Sequence, residues 1–288
     1  MLSRSLALLD RTTTALFALT ILFSFCGLFL APFGQSIQSN LLAVTGIFGL
    51  LNYFVGKQRD VGLKDRRILW GLLVYAAMIF VNRLIHGDQY GVMRGLFYVL
   101  IFALMMPRKP ILLMLGYLAI VLGGMGLGIL SIWQYQHGIA RVEGFTNAIR
   151  FGDLAILMGI ISLSAAMLKI FSTKERTFFA IASFFGLLAS ILSLSRGGWP
   201  ALIAIPVIFF FIFRESKKIA LFFTLSLLPI FLIFINLPPV ESRIQEATKQ
   251  INGYFDEHEQ YVQTSLGARL EMWKTALLMG KEKPFTGW

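Results

Sequence analysis

Long apolar runs recur along the chain from residue 12 to residue 237, and that repetition limits the fold more than any other feature. Each run is close to the ~20 residues that an α-helix needs to cross the hydrocarbon core of a bilayer. A transmembrane barrel would show short alternating strands instead. Of the 288 residues, 57% are hydrophobic and 14% charged, and the mean hydropathy is +0.73. Such values lie outside the range of soluble domains. The sequence therefore predicts an all-α, polytopic integral membrane helix bundle.

Hydropathy predicts about nine spans, at 12–31, 40–55, 68–85, 92–106, 111–132, 151–170, 178–194, 198–213 and 219–237. The first reads as a retained helix, because no small-residue cleavage pattern follows it. A cytoplasmic amino terminus places about fifteen Lys and Arg residues in inside segments and about five in outside loops. The dense cluster from Lys57 to Arg67 dominates that bias. Residues 1–237 are thus expected to form a transmembrane helical domain, and 238–288 the first part of a large periplasmic loop with two amphipathic helices. Pro238 and Pro239 are expected to stop the last span. Ile244, Ala247, Ile251 and Phe255 then fall at helical spacing, as do Leu266, Leu270, Trp273 and Leu277, with Gly280 and Pro284 expected to end the second helix. The chain stops at Trp288 as a Pro/Gly turn begins, which reads as a loop cut short.

A net charge of +11 would suit a nucleic-acid binder, but the basic residues are scattered through short loops rather than gathered in one aromatic-laced patch. Topology accounts for them, and no nucleic-acid partner is expected. Cys26 stands alone inside the first apolar run, which leaves no internal disulfide. The sequence shows no Gly-rich phosphate loop, no histidine pair at metal spacing and no Ser/His/Asp set compatible with the topology. Neither a metal nor a cofactor is expected. His86, His137 and His258 all fall in outer loops and read as solvated residues rather than as a catalytic base.

Arginine is the more informative residue type. Arg141, Arg150, Arg196 and Arg269 all fall at or near the outer boundary in this topology. A guanidinium fork binds two phosphate oxygens at once and keeps its charge in a partly dry site, so such a set suits a diphosphate. Arg196 stands out, because it sits in a short turn between two spans and is followed by Gly197 and Gly198, which allow close backbone approach. Arg150 reads equally as an anchor snorkelling to the interface. Arg141 reads first as a solvated loop residue. Arg269 lies one turn before Trp273, where an arginine is often a rim residue stacked on its neighbour.

Three stretches together resemble the O-antigen ligase family of ligases and polymerases. They are Arg141-Val142-Glu143-Gly144-Phe145-Thr146-Asn147, Ser195-Arg196-Gly197-Gly198-Trp199, and Leu266-Gly267-Ala268-Arg269-Leu270-Glu271-Met272-Trp273-Lys274 leading to Lys283-Pro284-Phe285-Thr286-Gly287-Trp288. The resemblance runs from about residue 133 to the end and is weakest over the first spans.

It implies a GT-C-like membrane glycosyltransferase of the bacterial inner membrane with its active face periplasmic. Such an enzyme moves glycan from an undecaprenyl-diphosphate donor to a sugar hydroxyl, commonly on the lipid A core, and needs no metal. Arg196 and Arg269 would bind the donor diphosphate, with Arg150 and Arg141 as weaker candidates and Gly197, Gly198 and Trp273 in support. The family's base histidine would lie further along the outer loop than Trp288, so this chain alone is expected to be inactive. O-antigen polymerases and protein O-oligosaccharyltransferases share the same donor chemistry. A transporter or flippase would instead carry midspan charges and two similar halves, neither of which the sequence shows.

Overall fold

The computed structural model describes residues 2–56, 58–63, 66–87, 90–139, 141–195, 204, 238–256 and 258–284. The chain divides into two compact units, Met1–Leu84 with Asp88–Ile212, and Ile85–Gly87 with Phe213–Trp288. Every extended element among the described residues is helical, and the sole ladder contact there is an isolated bridge between Val61 and Pro107.

In the first unit, α1 (Leu2–Leu22) runs on through a π-helical turn at Phe23–Gly27 and a short α segment at Leu28–Leu30. It is followed by α2 (Gly34–Phe54), α3 (Arg66–His86), α4 (Tyr90–Met105), α5 (Pro110–Gln136), α6 (Ala148–Met167) and α7 (Thr173–Leu192). Six helices are long and apolar enough to cross a membrane, and α4 is a shorter apolar helix. These seven correspond to the first seven expected spans. The expected spans at 198–213 and 219–237 fall outside the described residues, apart from residue 204.

Local sequence sets the helix ends. Pro110 opens α5, where its missing N–H has no partner to lose. Asn147 caps α6 by accepting from the Arg150 amide at 2.9 Å. At α7, Ser172 and Glu175 form a reciprocal capping box. Arg176 Nε, in the first turn of α7, donates to the Ala166 carbonyl at 2.8 Å and so satisfies the carboxyl end of α6.

Small residues then govern how the helices meet. A Cβ at Gly186 of α7 would lie 2.9 Å from the Gly159 amide nitrogen and 3.0 Å from the Ala155 carbonyl oxygen of α6, so the two backbones touch. Close approach of this kind is what drives helix association where lipid offers the same apolar contact as a neighbour. The π-helical turn of α1 is accommodated the same way, with the Phe25 carbonyl lying against Gly123 of α5. Around these contacts Phe29, Leu127, Val142, Phe151 and Ala155 are almost wholly buried. Outward, α3 exposes Trp70, Val74, Met78 and Leu84, a surface suited to hydrocarbon.

Antiparallel alternation gives the first unit two ends. At one, Lys109 Nζ donates to Asp10 Oδ2 at 2.6 Å and to Thr14 Oγ1 at 2.8 Å. Nearby, Arg108 bridges Asp60 at 3.2 Å and donates to the Gly62 carbonyl at 2.8 Å. Arg59, Arg67, Lys169, Lys174 and Arg176 also belong to this basic end. The opposite end carries the 31–33 turn, the α5–α6 connection and the exit from α7.

The second unit contains α8 (Pro238–Asp256), the short α9 (His258–Tyr261) and α10 (Ser265–Glu282). Pro238 and Pro239 open α8, the position in a helix where proline is tolerated best, and the span they were expected to stop lies outside the described residues. One expectation changes here. Gly280 does not end the last helix: α10 continues through it to Glu282, and Lys283 caps it immediately before Pro284.

Gly186→Leu should separate α6 from α7 and destabilise the unit by about 1–3 kcal/mol. Thermal unfolding in detergent checks this; an unchanged midpoint would mean that the two backbones do not approach so closely.

Candidate functional site

The end opposite the basic one is organised by a buried amide. Gln134, 7% exposed, sits near the carboxyl end of α5. Its Oε1 accepts from the Glu143 amide at 3.2 Å and the Gly144 amide at 3.0 Å, while its Nε2 donates to the Gly144 carbonyl at 3.3 Å. The 141–147 segment is thereby fixed to α5 at its middle. Its start is fixed to α7: the Val142 amide donates to the Leu192 carbonyl at 3.4 Å, and Arg141 Nε to the Ser193 carbonyl at 3.3 Å. Arg141, expected to be a solvated loop residue, stays exposed but has this second attachment.

That bond joins two stretches distant in sequence, because Ser193 leads directly into the Ser195–Trp199 stretch. The exit from α7 is tightly held. The Ser193 amide donates to Ala189 O at 3.0 Å, its hydroxyl to Ser190 O at 2.6 Å, and Ser193 Oγ accepts from the Ser195 amide at 3.2 Å. Leu194 turns the chain with a φ of +50°, a conformation costly for a side chain of its size. Ser195 is 1% exposed. Room for this packing comes from Gly152 of α6, where a Cβ would lie against Ser193 Oγ and 3.0 Å from Ser195 Cβ. Arg196, Gly197, Gly198 and Trp199 lie outside the described residues.

Arg150 stands a short distance from this anchor, in the first turn of α6. Its Nη1 donates to Gln35 Oε1 at 3.4 Å. Two adjoining cavities of about 550 and 400 Å³ share Leu28, Gln35, Thr146 and Arg150. Phe33, Phe145 and Asn147 line the first, and Asp153 the second. Amides, hydroxyls, one cation and one carboxylate beside exposed aromatic rings make a lining suited to hydroxyl-rich ligands. His137 takes no part: its Nδ1 pairs with the Trp133 carbonyl at 2.8 Å and its ring lies 4.3 Å from that of Trp133.

In the second unit, α8 and α10 pack as a hairpin. Tyr254 donates to Glu271 Oε1 at 2.5 Å, and the Leu266 amide to Gln250 Oε1 at 3.3 Å. Thr264 caps α10 by accepting from the Gly267 amide at 3.2 Å, and Gly267 leaves space for the Tyr261 carbonyl. This arrangement presents Arg269 at the surface of α10, with Met272, Trp273 and Leu277 exposed on the same helix. The hydrogen bond to Glu271, then burial and the carboxylate's charge, raise the Tyr254 phenol above its ordinary value of 10.0.

Sequence reasoning passed over Gln134, Gln35 and Gly152. Gln134 and Gly152 offered one signal each, a polar side chain and a glycine within apolar helices. Among the described residues no three His, Cys, Asp or Glu side chains gather as they would around a metal ion.

Residues 181–288 match the O-antigen ligase family. The matched stretch includes Ser195–Trp199 and the run from Leu266 to Trp288, and leaves 141–147 outside. An uncharacterized protein of Haemophilus influenzae is 26% identical over 290 residues, which is 95% of this chain and 68% of that protein. No solved structure matches the chain.

Gln134→Leu removes all three bonds to residues 143 and 144. Amide exchange there should speed up by about tenfold or more, from bonds each contributing about 0.5–1.5 kcal/mol; unaltered protection would remove Gln134 as the anchor. The Tyr254–Glu271 bond favours the neutral phenol, so its contribution is complete below the ordinary phenol value and is lost as pH rises through the raised one. An absorbance titration, with Tyr254→Phe as reference, should place this phenol above ordinary tyrosine; an ordinary midpoint would contradict the contact.

Proposed function

Taking the O-antigen ligase domain at residues 181–288 as the premise, we propose that the chain is the donor-binding part of a membrane glycosyltransferase of that family. It accepts glycan on undecaprenyl diphosphate for transfer to a sugar hydroxyl, of the lipid A core in the ligase reaction. The positive-inside rule sets the basic end of the first unit in the cytoplasm, and the end bearing the Ser193–Ser195 exit faces the periplasm.

One observation carries this reading. The Arg141 bond to the Ser193 carbonyl ties the 141–147 stretch to the start of the Arg196 turn. Two of the three family-like stretches therefore meet at one end of one bundle, where a membrane-embedded diphosphate would be presented.

Arg196 and Arg269 are the proposed ligands of the diphosphate. Breaking the anomeric bond leaves negative charge on that group, and fixed guanidinium charges in a poorly hydrated site stabilise it as it forms. Gly197 and Gly198 permit close backbone approach, and Trp273 covers the apolar part of the carrier. The cavities around Arg150, with Asp153 in their lining, suit the first sugars of the glycan better than the diphosphate itself. Arg141 acts through the Ser193 carbonyl by holding the turn in place.

Binding of undecaprenyl-diphosphate-linked glycan to the purified chain tests the reading. Losing a charge-assisted phosphate contact costs about 1.5–3 kcal/mol, so Arg196→Ala and Arg269→Ala should each weaken binding by about ten- to a hundredfold. Helical content should remain unchanged. Affinity equal to that of the wild type in both variants would refute the assignment.

A further inference from the structure

At the basic end of the first unit, away from the proposed donor site, lies a cavity of about 680 Å³ between α1, α4 and α5. Its size falls within the ~300–1,000 Å³ typical of small-molecule sites. Ile21, Phe25, Phe102, Leu113 and Gly116 form apolar walls, and Arg108 and Lys109 form the polar margin. Leu113 is 61% exposed, so the cavity meets the hydrocarbon at its side.

We infer that this cavity holds an anionic phospholipid of the basic-end leaflet, with an acyl chain between α1, α4 and α5 and the phosphate at Arg108 and Lys109.

Three features converge on that occupant. Apart from the Tyr117 hydroxyl the walls are apolar side chains, which disfavours a polar solute but accepts an alkyl chain. The margin is cationic in excess. Arg108 and Lys109 pair with Asp60 and Asp10, and Arg59, over the Tyr53 ring, adds a further cation at this end. Basic pockets between helices near the cytoplasmic surface suit anionic headgroups. Finally, α5 begins at this margin, and its first-turn N–H groups add partial positive charge. Arg108 is partly exposed while donating to the Gly62 carbonyl, so a headgroup phosphate can share its fork without dismantling the corner.

Gly116 supplies a test that leaves every charge in place. A Cβ there would meet only Ile21 Cγ2, at 3.9 Å, so a larger side chain can grow into the cavity. The wild-type chain, purified in detergent, is mixed with equal phosphatidylglycerol and phosphatidylcholine, and retained lipid is counted by native mass spectrometry. Phosphatidylglycerol should be retained at least about tenfold over phosphatidylcholine, equivalent to ~1.4 kcal/mol. In Gly116→Leu that preference should fall to near unity, and Arg108→Gln should reduce it severalfold. Equal retention of the two lipids by the wild type would overturn the inference. So would a preference unchanged in a folded Gly116→Leu, which would assign it to surface charge alone. If either variant fails to fold, the wild-type ratio still decides.

Discussion

Backbone contact between α6 and α7 is the constraint on which the remainder depends. With Gly186 against Gly159 and Ala155, the two helices leave no side-chain layer between them. Their carboxyl and amino ends are consequently fixed in register, and Gly152 can receive Ser193 and Ser195 one turn from the surface. In hydrocarbon such packing has to come from shape, because burying apolar surface against protein gains little over burying it against lipid. Residues far from any ligand therefore decide where the chain leaves α7 at Ser193–Ser195.

The ends of the bundle are built by different means. The basic end relies on ion pairs and polar bonds that span the sequence, such as Lys109 with Asp10 and Arg108 with Asp60 and Gly62. The opposite end relies on a buried amide, a strained leucine and side chain to backbone bonds. Charge at the first end suits the orientation of a membrane protein and, in the cavity beside α5, an anionic lipid. Polar side chains and aromatic rings at the second, Arg150 and Asp153 among them, suit the sugars of the proposed donor.

Much of this architecture was legible in the sequence. Spans are read from length and apolarity alone, since the bilayer imposes both, and seven of the expected ones coincide with described helices. The Ser195–Trp199 and Leu266–Trp273 stretches were legible as motifs, and both lie within the family match at 181–288. Other features were hidden by sequence distance. Arg141 and Ser193 are separated by 52 positions, and nothing local to Arg141 announces the bond. Gln134 is nearer its partners, 9 and 10 positions away, but they lie across the bend of a connection whose path the sequence does not reveal. Gly280 was misjudged because glycine commonly ends helices, whereas here it is an exposed interior position and Pro284 supplies the stop.

The central claim is that the end of the bundle bearing the Ser193–Ser195 exit, and not the basic end, receives the lipid-diphosphate donor. Photocrosslinking tests it most directly. A photoreactive amino acid is placed at Phe145 or at Leu113, and the protein is irradiated with radiolabelled undecaprenyl-diphosphate glycan. Glycan-bearing adducts should form from position 145, compete away with unlabelled donor, and be absent from position 113. Adducts confined to position 113, or none from 145 with a correctly folded protein, would contradict the account.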